Sequence, residues 1–299
     1  MKRKTGMLIM ALLVIAGGVY MLWSAFFRYK DMKIDDIIWT DGYGEDSRIY
    51  LYWGGKTENI GNISLKNFSK KGETQLVGVQ NLYSNSKGFK GIVTYNITTK
   101  EVNEILACDK IYDFLGEGNH EFGGNIQMTD DGKYLYFLCD DKMISYDVEK
   151  DQMEILFETW CESYILNEQG TCLFFCDRPA LCRYDLSTKE RDEVALINGI
   201  YSFAISKDEK MLVYRDCDNN ELCLFRMDTK EKKKLVELDY IWGAVYISDD
   251  NRYVLYTDYK ESFVPTNRKI GIYVIDLETE KRRTIYKGTY QDNVGNVLW

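Results

Sequence analysis

One histidine, His120, and two prolines stand among 299 residues. A single imidazole limits Ser-His-Asp catalysis and histidine-rich metal sites to one position. There is no G-x-S-x-G, no H-E-x-x-H and no glycine-rich loop running into Lys-Ser or Lys-Thr. The common signatures of hydrolases, zinc peptidases and nucleotide-binding enzymes are therefore missing, and no cofactor, metal or catalytic residue is expected. Positive charge is short as well: 38 Lys and Arg face 47 Asp and Glu, a net charge of -9. Beyond the basic start of Lys2, Arg3 and Lys4 the balance is more negative still. Such a surface repels nucleic acid and anionic head groups, which discounts both as partners of the main domain.

One long uncharged run is present. Residues 7–27 carry no charge and, as a helix rising about 1.5 Å per residue, would span one hydrocarbon core. No A-x-A cleavage site closes the run, so it reads as an uncleaved signal-anchor. No cysteine lies near it, which excludes a lipoprotein. Residues 1–6 form a short basic tail and residues 28–36 a polar linker. The positive-inside bias is slight, since Arg28, Lys30 and Lys33 follow the run. Short basic N-termini stay in the cytoplasm, so the expectation is a single-pass cell-membrane protein with its C-terminal domain, residues 37–299, extracytoplasmic.

That domain is organised around a repeat. Met128-Thr129-Asp130-Asp131-Gly132-Lys133-Tyr134-Leu135-Tyr136-Phe137 returns from Leu166, Ile205 and Ile247, at spacings of 38, 39 and 42 residues. Each copy is an apolar strand end, a tight polar turn and an apolar strand. A period near 40 of this kind is the sign of a β-propeller. Six strand–turn–strand stretches mark the second halves of the units: 62–77, 91–106, 142–157, 181–196, 221–236 and 270–285. They predict an all-β propeller of about six four-stranded blades, with Arg48–Trp53 as the second strand of the first blade and residues 79–85 as the compressed first half of the second. The last residues, Gly295-Asn296-Val297-Leu298-Trp299, resemble the opening strand of the third unit. A strand there can complete the first blade and remove free sheet edges.

The repeats resemble the TolB-type, WD40-like propeller family, whose repeat reads roughly I-S-P-D-G-K-x-I-x-F followed by a strand ending L-Y-x-x-D-L-x-T. The matches are Thr129-Asp130-Asp131-Gly132-Lys133, Ile247-Ser248-Asp249-Asp250-Asn251-Arg252 and Ile272-Tyr273-Val274-Ile275-Asp276-Leu277-Glu278-Thr279. The turn proline of the family is absent from every copy. The resemblance covers roughly residues 37–299 and implies protein-binding or scaffolding, and in some relatives a propeller that gates a hydrolase.

Asp131, Asp208 and Asp250 recur in register, as turn residues do, so they are assigned to turns rather than to paired-carboxylate chemistry. His120 lies with Asp113, Glu117 and Glu121 in a long connection. That group is either a carboxylate–imidazole site or, as we expect, a solvated loop. Of the eight cysteines, Cys172, Cys182 and Cys223 fall at inward strand positions and read as buried thiols. Cys139, Cys176 and Cys217 lie near strand ends and are the candidates for disulfides, should any form. Asn62, Asn67 and Asn96 head acceptor sequons.

Loops joining second to third strands share a face with loops between blades, and two insertions, 108–124 and 259–269, fall there. This long-loop face is the expected ligand site. Its candidate binding residues are Tyr112, Asp113, Glu117, His120, Trp160, Tyr201, Trp242, Tyr259, Phe263 and Tyr290, because rings among carboxylates suit a protein, peptide or envelope glycan. The expected function is a membrane-anchored binding or scaffolding module. The alternative is a carboxylate-dependent glycan hydrolase or lyase at the propeller mouth.

Overall fold

The computed structural model describes residues 37–41, 48–53, 56–81, 89–116, 118, 120–161, 163–240, 243–260, 269–289 and 297–298. The expected anchor and linker lie outside them; among the described residues no helix is long and apolar enough to cross a membrane.

Six four-stranded antiparallel sheets make a six-bladed propeller. Blade I holds β1 (Ile37–Asp41), β2 (Arg48–Trp53) and β3 (Lys56–Gly61). Blade II holds β4 (Leu65–Lys71), β5 (Gln75–Asn81), β6 (Phe89–Asn96) and β7 (Val102–Ala107). A helix, α1 (Cys108–Leu115), leads to blade III: β8 (Phe122–Met128), β9 (Tyr134–Cys139), β10 (Lys142–Asp147) and β11 (Gln152–Glu158). Blade IV is β12 (Tyr164–Leu166), β13 (Cys172–Asp177), β14 (Ala180–Asp185) and β15 (Arg191–Leu196). Blade V is β16 (Ile200–Ile205), β17 (Met211–Asp216), β18 (Glu221–Arg226) and β19 (Lys232–Glu237). Blade VI is β20 (Val245–Ile247), β21 (Tyr253–Lys260), β22 (Lys269–Asp276) and β23 (Arg282–Thr289). The C-terminal strand β24 (Val297–Leu298) pairs with β1, Trp39 opposite Val297, and completes blade I as expected.

Six apolar clusters hold the ring, one at each contact between neighbouring blades. The middle strands are buried on both faces because each blade lies between two others; β17 is buried at every position. Each fully buried Leu, Ile or Phe contributes roughly 1.5–3 kcal/mol. The outermost strands are exposed and charged, as in Lys232-Lys233-Lys234 of β19. Charge on an edge strand discourages pairing with another chain.

The third and fourth strands of every blade slip register at the same place, between Ile49 and Tyr50, Ile92 and Val93, Met143 and Ile144, Leu181 and Cys182, Leu222 and Cys223, and Ile272 and Tyr273. This bulge aligns the six units independently of sequence and corrects the first two. Residues 62–77 are not the outer hairpin of blade I: Leu65–Lys71 is the innermost strand of blade II. Its turn, Lys71-Gly72-Glu73-Thr74, lacks the hydroxyl–aspartate pair of the inner turns of blades III, V and VI and so passes for an outer one. Arg48–Trp53 is the third strand of its blade, not the second, since β24 supplies the first.

The turn aspartates do what their recurrence implies. Ser206 Oγ donates to Asp208 at 2.6 Å, and Asp208 accepts from Lys210 N–H. Ser248 with Asp250, and Thr129 with Asp131, repeat the pattern. All eight cysteines are free thiols; Cys139 and Cys176 are buried and Cys217 half-buried, so none of the pairing candidates is bridged. Burial pushes the Cys139 thiol up to about 12.

Candidate binding site

Innermost strands leave one edge without a ladder partner, and their backbone groups must be satisfied from elsewhere. Side chains of the neighbouring inner strands supply the bonds. Asn67 Nδ2 on β4 donates to Gly124 O and Phe122 O of β8, and Ser69 Oγ donates to Ile126 O. Gln127 on β8 donates to Tyr164 O at 3.1 Å and accepts from Leu166 N–H at 2.8 Å. Ser202 on β16 donates to Gly243 O at 2.8 Å beside β20. These staples lace one blade to the next around the axis. They also engage both hydrogens of the Asn67 amide, so a glycan at that sequon would cost at least one bond.

Ser69, Gln127 and Ser202 line a cavity of about 1790 Å³ that runs along the axis between β4, β8, β12, β16 and β20. Asn125 Nδ2 of blade III donates to the Tyr246 hydroxyl of blade VI at 2.7 Å, a rung between opposite walls that narrows the bore at mid-height. Tyr201 also lines it. The cavity opens among the turns that join first to second strands, the short-turn face. Seven carboxylates line it against two lysines, Lys70 and Lys207. Asp130, Asp131, Glu168, Glu209, Asp249 and Asp250 belong to turns of blades III to VI. Lys207 bridges two of them, 2.7 Å from Glu168 and 3.1 Å from Asp249. Hydrogen bonds from Thr129 and from Lys133 N–H lower the pKa of Asp131, so its negative charge is secure.

The described residues among those expected on the long-loop face lie at separate places on the ring, apart from Tyr112, Asp113 and His120. Tyr112, on α1, stacks on Phe89 at 5.8 Å and meets the His120 ring edge-on at 4.8 Å. Ile111 beside it is buried, and the helix closes the contact between blades II and III. Asp113 on the same helix is exposed. His120 Nδ1 lies 2.8 Å from Asp140 of the β9–β10 turn and Nε2 3.0 Å from Gly116 O, so both ring nitrogens are engaged. His120, Cys139 and Asp140 are close enough to share an ion, as are Asp216, Glu221 and Cys223. In the second group, however, Lys232 and Lys234 already neutralise the carboxylates at 2.6 and 2.8 Å. Tyr259 meets Tyr240 edge-on at 5.2 Å between blades V and VI. Trp160 is 91% exposed on the connection between blades III and IV. Of the six described candidates, Tyr201 lines the axial cavity. Glu117, Trp242, Phe263 and Tyr290 lie outside the described residues.

The staples Asn67, Gln127 and Ser202 and the mouth residues Glu168, Lys207 and Asp249 were not among the expected site residues. A signal for the staples exists in polar residues at alternate positions of strands that otherwise read as apolar, such as Asn125 and Gln127 of β8.

No protein-family model matches the sequence, and no curated protein matches it. Solved structures do. TolB from Acinetobacter baumannii matches with a TM-score of 0.65 at 14% identity, over 89% of this chain and 65% of that one. The chain thus spans just under two thirds of that protein's length. A chain from a nidogen/laminin complex matches with a TM-score of 0.63 at 12% identity, over 87% of this chain and 97% of that one. A putative TolB from Agrobacterium tumefaciens gives a TM-score of 0.60 at 9% identity, with 88% and 93% covered. At these identities the likeness is one of fold: the chain is a six-bladed β-propeller with TolB propellers among its structural neighbours.

Proposed function

We propose that this chain is a binding module that captures a protein partner in its axial cavity, held at a membrane by residues 7–27 with the ring on the extracytoplasmic side. The cavity carries the reading. At about 1790 Å³ it exceeds the roughly 300–1,000 Å³ of small-molecule pockets and suits a stretch of polypeptide. Its wall offers hydroxyls, amides and tyrosine rings already fixed by their own hydrogen bonds, which lowers the ordering cost of binding. One structural neighbour comes from a complex between two proteins, nidogen and laminin, which accords with the reading by analogy of fold. Membrane attachment rests on the uncharged run alone. A protease site engineered near Asp35 tests it: cleavage on intact cells places the ring outside, and protection until lysis places it inside.

The binding reading is tested by filling the bore. Ser163 lines the cavity. Ser163→Trp should abolish capture of envelope proteins by crosslinking while leaving the melting temperature within a few degrees. Trp160→Ala should leave capture intact. The reverse pattern would move the site to the long-loop face.

A further inference from the structure

We infer that the occupant of the cavity is an extended cationic segment, rich in Arg or Lys, that enters from the short-turn face. The inference rests on the cavity being the binding site. Its own ground is the charge of the mouth. Seven carboxylates against two lysines line one opening, and the excess stays negative when Lys133, 4.0 Å from Asp131, is counted with them. Like charges gathered in a concave site raise the local concentration of the opposite charge and speed its arrival.

The molecule also shows what such a mouth holds. The Lys207 ammonium sits between Glu168 and Asp249, contributed by the turns of blades IV and VI on either side of its own. One ammonium therefore already joins turns from different blades across the rim. Asp249 is 83% exposed even with this partner, so it has room for a second cation. Tyr134, 38% exposed at the same opening, adds a ring face for a guanidinium. A neutral segment would leave the carboxylates solvated and gain nothing from them; an acidic one would be repelled.

The test uses the full chain in detergent and three fluorescein-labelled ten-residue peptides of Gly and Ser, carrying four Arg, four Gln or four Glu. Anisotropy titrations at 50 and 300 mM NaCl should give the Arg peptide at least tenfold tighter binding than the Gln peptide, with the advantage falling at high salt. The E168Q/D249N pair should weaken Arg-peptide binding three- to tenfold. K207A should tighten it, because the internal competitor is gone. The E104Q/D113N pair, which removes as much charge far from the mouth, should change it less than twofold. Equal binding of the Arg and Gln peptides, a loss with K207A, or an equal loss with E104Q/D113N would each overturn the inference. The two readings fail separately. If Ser163→Trp blocks partner capture but Gln and Arg peptides bind alike, the cavity stands as the site and its charge preference falls. If the Arg peptide responds to the mouth variants while Ser163→Trp leaves partner capture unchanged, the cation preference stands and the cavity reading falls.

Discussion

Arg215 is fully buried, an unusual place for a charge. Nη1 donates to Tyr240 O at 2.9 Å, Nη2 donates to Thr257 O, and Nε has no partner. Burial lowers its pKa to about 10, with the nearby Asp258 carboxylate opposing the shift. Asp258, itself buried, is raised by burial against the pull of Arg215. Removing one member of such a pair strands the other. Arg215→Ala should cost about 3–5 kcal/mol in urea unfolding. A cost below 1 kcal/mol would mean that Asp258 finds another partner or simply protonates. His120 makes a pH-dependent contribution. Burial tends to lower its pKa, but the bonds to Asp140 and Gly116 O outweigh it and the net shift is upward. A raised folded pKa stabilises most below the unfolded value, near 6.5, and the contribution is lost as pH rises through the folded value. His120→Gln should therefore lose more stability at pH 5.5 than at pH 8.5 in urea unfolding. Equal losses at both values would show that the imidazole is not held as a cation.

Backbone ladders hold the strands within each blade, and side chains hold one blade to the next. Gln127 is the plainest case: two bonds, 3.1 and 2.8 Å, to the short strand β12 of only three residues. Gln127→Leu leaves a backbone donor and an acceptor without those partners, at about 1–3 kcal/mol. Hydrogen exchange should then quicken in β12 before it quickens in β13 and β14; uniform quickening would mean that the staple acts on the whole ring. The inner turns work at the same scale. Ser206 Oγ bonds both Asp208 and Met211 N–H while buried, so Ser206→Ala should cost about 1–2 kcal/mol in urea unfolding.

The whole molecule depends on one short strand. β24 supplies two residues to blade I, and the cluster between blades VI and I joins Ile37, Trp39 and Tyr52 to Leu255, Ile270 and Ile272. Arg283 of blade VI also donates to the Tyr52 hydroxyl at 2.6 Å. Removing residues 295–299 should lower Tm by roughly 5–10 °C and broaden the transition, because the ring closes through apolar contact but loses its strand seal. A Tm unchanged by the truncation would assign closure to the apolar cluster alone.

The repeat, the blade count, the turn aspartates and the closing strand were all legible in the sequence. They are local patterns: a hydroxyl and an aspartate two residues apart, a strand alternation, a period near 40. The first two blades were misread where the turn at Gly72 lacks that local mark, and only the bulge shared by all six sheets settles their registry. The long-loop face looked like a binding surface because its residue types suit one. In the structure Tyr112 and His120 pack against Phe89, Asp140 and each other, contacts that residue type alone does not foretell. The acidic mouth is assembled from turns about 40 residues apart, brought to one opening by the rotation from blade to blade. The sequence determined by itself that these turns exist and that they are acidic, since turn chemistry is local. That they face one cavity, and that Lys207 spans two of them, depends on ring closure, a property of the tertiary structure alone.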